Sequence, residues 1–553
     1  MKTTLPSLRF WMTSLFLLTS VAPVSAQVAP PSSPASSTLG FSIAGTVVNA
    51  ITGAPLNRVH ISIASTRARA QRMEMVTGEN GHFEFSGLPA DKYSLQGSRR
   101  GYLTSAFEQH EQYSTAIVTG PGFATDRLVL RLMPLALITG HVLDESGEGL
   151  REAQVRLYVE DHSGGFSRIV PVSRSSTDDR GYFDFPLVQP GTYFVSATAS
   201  PWYAVQPILL PSVDSTAPLP PEFDVAYPTT YYGGATDSDA ASPIDVRGGQ
   251  TQDVEIRLSP VPAMHFTLRI PAEAGEQNVF SYPLLLKRVF DAPEFPAGVQ
   301  TRYVSPGVIE ISGLAAGRYD LNIQNPNSGE SQQHFAEIDL ESNGQDLNAG
   351  DSETLTKLTI KLRADSPVPK RYAVGLRDSR NRMVQFAFGG ADGITFPAVR
   401  PGKYSIVVQA QGKFYAVKRI LAPTGETVGH DIVVSSAAME VTAELTEGLA
   451  SIEGVVSKGG KSTPGIMVAL VPTDPEAHVE LFRRDQSDFD GTFSLRGVIP
   501  GTYTVVAVED AWGFDWLKAG VLARYVQHGQ TVVVADQMRG SIRLPYPLEA
   551  QPK

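Results

Sequence analysis

The sequence contains no cysteine, which excludes disulfides, thiolate nucleophiles, a lipid-anchored N-terminal cysteine, Cys-ligated zinc and iron–sulfur clusters. No long segment keeps a 3.6-residue apolar period, so little helix is expected. Lys and Arg are not clustered. The formal net charge of −11 is spread along the chain, which argues against nucleic acid or an anionic membrane as partner. After residue 26 no stretch reaches the ~20 apolar residues that span a bilayer. What remains is a chain of 553 residues, too long for one core, with 42% hydrophobic residues, too apolar for a disordered polymer. Its 49 glycines and 40 prolines mark frequent turns.

The N-terminus reads as an export signal over residues 1–26. Lys2 and Arg9 precede an apolar run from Phe10 to Ala22, and Val24-Ser25-Ala26 fits a small-x-small cleavage site. Losing Lys2 and Arg9 would take the net charge from −11 to −13. Residues 27–39, rich in Pro and Ser, read as a flexible linker. Export without disulfides requires each domain to stand on packing alone.

An internal repeat sets the architecture. Tyr93, Tyr193, Tyr319, Tyr404 and Tyr503 anchor five copies. Ten residues before each anchor lies Phe83, Phe183, Ile309, Ile394 or Phe493, and eight before lies Phe85, Phe185, Ile311, Phe396 or Leu495. Such alternation puts both side chains on one buried face of a strand. Gly81, Gly181, Gly307 and Gly491 precede that strand as turn residues, with Gly393 shifted in the fourth copy. The anchor Tyr fits a tyrosine corner, ring in the core and hydroxyl on turn backbone. Copies one, two and five carry an upstream Gly-x-Val strand at Gly45, Gly140 and Gly454; in copies three and four it is not recognisable. Closing strands are expected at Leu128 to Leu132, Val254 to Leu258, Leu358 to Leu362, Ile432 to Val434 and Thr531 to Val534. Short strands at turn-punctuated intervals indicate β-sandwiches, here a row of independent all-β units.

The unit, for instance Gly140-His141-Val142 followed by TDDRGYFDFPLVQPGTYFVSA, resembles the carboxypeptidase regulatory-like domain. That family shares a transthyretin-like, carbohydrate-binding-like sandwich with the B-type repeats of collagen adhesins. The segment YPTTYYGGATDSDAASPIDVRGGQ is similar to ones in exported multi-module proteins of soil bacteria. The resemblance implies an all-β fold, a tandem array of five Ig-like or transthyretin-like β-sandwich modules after the signal peptide, and a non-catalytic role. The expected modules span 40–135, 136–261, 262–364, 365–447 and 448–548, the third and fourth degenerate.

Chemical motifs are sparse. The ten histidines include no pair at metal-binding spacing; His334 and Glu337 match a His-x-x-Glu but sit in an alternating strand. Gly459-Gly460-Lys461-Ser462 lacks the first glycine of a phosphate loop in register, and it reads as a hairpin loop. Asp488-Phe489-Asp490-Gly491 and Thr177-Asp178-Asp179 read as turns rather than calcium loops. No catalytic residue, metal site or cofactor is expected. The stronger signal is aromatic. Nine residues after the anchor Tyr stand Tyr102, Trp202 and Trp512, with Tyr203, Phe514 and Trp516 beside the two tryptophans. Exposed rings there would stack on sugar faces; the alternative is that they cap the sandwiches or fill joints between them. The long loop 204–245, with Tyr227, Tyr231 and Tyr232, is a second candidate surface. The expected function is carbohydrate or polysaccharide binding by an exported protein in the periplasm, at the cell surface or outside the cell. The competing reading is a structural spacer or an adhesin-like array that contacts other surface proteins.

Overall fold

The computed structural model describes residues 40–67, 72–204, 222–270, 282–290, 292–305, 307–324, 333–342, 344–365, 367–368, 371–379, 382–390, 393–410, 413–422, 426–428 and 430–553. The expected export signal and linker, at 1–26 and 27–39, and part of the loop 204–245 lie outside the described residues. From Phe41 onward the chain forms one compact unit of β-sandwich repeats.

One pairing scheme recurs at every copy of the repeat. A first strand lies between an antiparallel partner, which holds the residues ten and eight before the anchor Tyr, and a parallel closing strand. In the first copy Phe41–Asn49 lies between His82–Leu88 and Leu128–Leu132. In the second, Ala136–Leu143 lies between Tyr182–Val188 and Thr251–Arg257. The anchor strand belongs to the facing sheet, where Lys92–Ser98 pairs with His60–Ser65 and Gly191–Thr198 pairs with Gln154–Asp161. Alternate residues of both sheets meet in a buried cluster at each copy.

The first strands that the sequence does not reveal in copies three and four are Met264–Arg269 and Thr356–Ala364. Register explains why they are hidden. Gly45, Gly140 and Gly454 lie opposite Phe83, Phe183 and Phe493; a Cβ there would meet the closing-strand backbone at Gly45 and Gly140 and the phenylalanine ring at Gly140 and Gly454. Where the opposing residue is Ile309 or Ile394, the glycine position carries Leu268 or Ile360 instead. Side-chain volume is exchanged across the strand pair, and the glycine signature disappears with the phenylalanine.

Three expected closing strands are reassigned. Leu358 to Leu362 belongs to the first strand of the fourth copy, pairing with Ile394–Val399 and Met439–Glu447. Ile432 to Val434 and Thr531 to Val534 pair with anchor strands in the facing sheet. The parallel closing strands are Gln345–Asn348, Met439–Glu447 and Gly540–Arg543. Apolar alternation identifies a strand but not its neighbour. In the fourth copy, Lys413–Leu421 pairs with both the anchor strand and the closing strand, so the two sheets are continuous.

The anchor tyrosines share one geometry. Each ring is buried, and each hydroxyl donates to the carbonyl four residues upstream, from Tyr93 to Pro89 (3.3 Å), Tyr193 to Gln189 (2.9 Å), Tyr319 to Ala315 (2.6 Å), Tyr404 to Arg400 (2.9 Å) and Tyr503 to Ile499 (2.7 Å). Burial pushes the Tyr503 hydroxyl up to about 12. Tyr503→Phe leaves the Ile499 carbonyl without this donor and is expected to cost about 1–2 kcal/mol in denaturant unfolding of the last repeat.

The expectation of a row of independent units fails at the last copy, which folds back onto the first two. It contacts the first repeat through the backbone bond from Phe489 N–H to the Ala116 carbonyl (3.0 Å) and the second through that from Leu517 N–H to the Gly165 carbonyl (3.1 Å).

Candidate functional site

The anchor sheet of the last repeat is apolar on both faces. Strand Met467–Pro472 is buried at every position. Val468 and Leu470 enter the sandwich core; Met467, Ala469 and Val471 form a second cluster outside it with Phe482, Val506, Val508, Leu522 and Tyr525. The helix Ala519–Val526 covers part of that face, and Phe166 of the second repeat packs against it.

Trp512, Phe514 and Trp516 rim this outer cluster rather than forming an exposed platform. Trp512 stacks flat on His110 of the first repeat, centroids 5.0 Å apart, and lies 5.6 Å from Tyr113. Trp516 meets Phe482 edge-on at 5.9 Å, and Phe514 lies 6.3 Å from Tyr525. Arg484 sits among these rings, its guanidinium 4.2 Å from the Trp516 centroid and 5.8 Å from that of Trp512. Its side chain is only 2% exposed, and two of its nitrogens reach the Glu111 carboxylate at 3.2 and 2.6 Å. Such a desolvated fork-to-carboxylate pair holds only while both partners stay in place. Glu108 and Glu111 both have left-handed backbone, φ 47° and 51°, a strain concentrated in the loop that meets the last repeat.

Polar contacts extend the seam. Gln486 donates to the Glu108 carbonyl (2.7 Å) and the Thr115 hydroxyl (2.8 Å), while Asp488 accepts from the Ala116 amide (2.9 Å) and pairs with Lys92. Asp515, between Phe514 and Trp516, bonds His162 of the second repeat at 3.0 Å. Asp488, read from sequence as a turn residue, thus also grips another repeat.

The other aromatics go elsewhere. Tyr102 is half-buried, bridging to Pro134 at the entry to the second repeat and taking the Asn49 side-chain amide at 3.3 Å. Trp202 is 82% exposed, with Tyr203 edge-on at 5.7 Å. The hydroxyls of Tyr203 and Tyr227 each donate to one oxygen of Glu145 at 2.6 Å. Against the upward push of burial, these two donors hold the Glu145 carboxyl below its usual range. Tyr231 is buried behind this loop, against Tyr158 and Val289. Tyr102, Trp202 and Trp512 therefore do not share one surface. The structure adds Glu111, Arg484 and Glu145, none of which the repeat pattern marks. The one available signal was the unbroken apolar run Met467 to Val471.

His334 lies on the strand Gln333–Leu340, where burial lowers its pKa, and Glu337 is engaged by Arg400 at 3.1 Å. Among the described residues no group of three or more His, Asp or Glu could hold a metal ion. Gly459 and Gly460 form the left-handed turn of a hairpin, φ 57° and 77°, and Lys458 pairs with Glu509 at 2.8 Å.

A cavity of about 1460 Å³ opens where the first, second, fourth and last repeats meet. Asp485 lines it, and burial pushes its carboxyl from the ordinary 3.8 up to about 6, against the pull of the Ser494 amide, which donates to it at 2.7 Å. The folded state therefore keeps a proton that the unfolded chain releases between those values, so stability falls as pH rises through that window. Asp485→Asn is expected to flatten this dependence and raise stability at pH 7.5 by on the order of 2 kcal/mol, read from denaturant curves at pH 4 and 7.5.

Comparison with known proteins agrees with this architecture. Residues 42–126 match the carboxypeptidase regulatory-like domain, and residues 447–535 match the second β-sandwich domain of the BOS complex subunit NOMO1-like family. Similar solved structures include the Bacillus anthracis TIE protein, at 11% identity over 75% of this chain and 76% of that one, with a TM-score of 0.17. GBS52, the minor pilin of Streptococcus agalactiae, is 13% identical over 40% of this chain and 97% of its own, with a TM-score of 0.21. The shaft pilin SpaA of Lactobacillus rhamnosus GG is 14% identical over 40% and 98%, with a TM-score of 0.19.

Proposed function

We propose that the chain is an exported, non-catalytic array of five β-sandwich repeats, spanning about 40–135, 136–261, 262–364, 365–447 and 448–548, that serves as a structural and protein-interaction scaffold at the cell surface. The third boundary is better drawn just before Thr356, where the first strand of the fourth copy begins. The observation that carries this reading is the packing of the partly buried Trp512 and Trp516 and the buried Arg484 between the last repeat and the first two. The aromatics that sequence nominated for sugar stacking at this end of the chain are used to fix repeats against each other. Small-angle scattering of the chain from residue 27 tests the reading. Compact dimensions are expected; those of an extended string of beads would overturn it.

A glycan contact is a second reading, and a separate observation favours it. Trp202 projects a bare ring beside Tyr203, and Glu145 is pinned by two hydroxyls within reach of the same loop. A flat exposed indole beside an oriented carboxylate suits a sugar face and its hydroxyls. Retardation in affinity electrophoresis on a panel of plant, fungal and bacterial glycans, lost at least tenfold in Trp202→Ala, is the expected result. No retardation on any glycan ends this reading and leaves the scaffold intact.

A further inference from the structure

The cavity between the repeats has an electrostatic character opposite to that of the chain. Arg67, Lys92 and Arg484 line it, but each has a carboxylate partner, in Asp91, Asp488 and Glu111 respectively. Four more arginines line it without a carboxylate at ion-pair distance among the described residues: Arg377, Arg483, Arg496 and Arg543. Arg483 donates to the carbonyls of Gly497 (3.1 and 2.9 Å), Glu480 (2.8 Å) and Phe482 (2.7 Å), which fix the guanidinium and occupy most of its donors, and the Glu480 carboxylate also acts on it. Arg496 and Arg543 are exposed on the wall of the cavity. Seven cationic side chains line the cavity against four carboxylates, those of Glu453, Asp485, Asp488 and Asp490. Glu453 accepts from Ser541 (2.7 Å), Asp490 accepts from Thr492 and lies 3.6 Å from Lys92, and Asp485, raised by burial to about 6 but ionised at neutral pH, faces Arg496. Glu480 acts on Arg377 across the seam and is itself held by His478. Tyr546, 73% exposed, adds a bare ring to the same lining.

We infer that this cavity binds a strand of acidic polysaccharide, its anionic groups on Arg377, Arg496 and Arg543 and a sugar face on Tyr546. The site rests on the docked arrangement of repeats proposed above. Its volume exceeds the roughly 300–1,000 Å³ of ordinary small-molecule pockets, which fits several linked residues of a polymer rather than a single small ligand. Guanidinium groups with free donors recognise oxyanions in a directed way, and an aromatic ring supplies the apolar surface that a pyranose needs. An acidic chain with a cationic hollow repels polyanions from its general surface and admits them at the hollow.

Affinity electrophoresis of the chain from residue 27, in gels containing polygalacturonate or neutral dextran, tests the site. Retardation by polygalacturonate alone is expected, weakening as salt rises. The double variant Arg496→Glu/Arg543→Glu, at two exposed positions, should weaken it at least tenfold with an unchanged melting curve, and Tyr546→Ala should weaken it severalfold. Equal retardation by dextran, or undiminished retardation of the double variant, would overturn the site. Competition by inorganic polyphosphate as effective as by free polygalacturonate would overturn its assignment to a sugar polymer. Compact scattering without retardation overturns this site alone; extended scattering overturns the docking and the site with it.

Discussion

Glu111→Ala is expected to release the last repeat from the first. The substitution leaves the Arg484 guanidinium, 2% exposed, without its carboxylate, and stranding one member of a buried ion pair costs about 3–5 kcal/mol. Backbone strain does not confuse the comparison, because Ala and Glu are strained alike at φ 51°. Trp512→Ala should act in the same direction, and more weakly than loss of a core aromatic, by removing the partly buried ring stacked on His110. Scattering should report an increased radius of gyration for both, and amide exchange should quicken across residues 105–116. The double variant Glu111→Ala/Arg484→Met, which buries an apolar chain in place of the stranded charge, should recover much of the compactness. Unchanged scattering of both single variants would show that the seam does not hold the repeats together.

The second large effect is expected at Gly140. An added Cβ would lie 1.9 Å from the Val254 carbonyl oxygen of the parallel closing strand and 2.8 Å from Cζ of Phe183. One obstacle is backbone and cannot swing aside, so Gly140→Ala should cost at or above the upper end of the 1–3 kcal/mol typical of overpacking. Gly454 provides the contrast. There the obstacles are side-chain atoms of Phe493 (2.7 Å) and Leu544 (3.1 Å). Gly454→Ala should therefore be milder and largely rescued by Phe493→Ile, whereas Phe183→Ile should not rescue Gly140→Ala. Thermal unfolding of the four variants separates the two cases.

The pairing explains what the sequence could and could not reveal. Anchor tyrosines and the alternating residues before them are legible because every sandwich needs the same core contacts at the same offsets. The first strands of copies three and four were illegible because Gly opposite Phe and Leu or Ile opposite Ile fill similar space with different letters. Neighbour identity was illegible too, since Ile432 to Val434 alternates equally well in either sheet. The docking seam draws on residues more than three hundred positions apart, such as Glu111 and Arg484, and no local pattern encodes such a meeting. Only the two-sided apolarity of Met467–Pro472 announced that the last repeat had a surface to hide.

That return contact also alters what strength the seam requires. Because the last repeat is covalently tethered to the first through the intervening ones, its local concentration at its docking face is set by the tether rather than by how much protein is in solution. A seam of modest intrinsic affinity can thus stay shut intramolecularly, yet exchange partners when two chains are held side by side at high density.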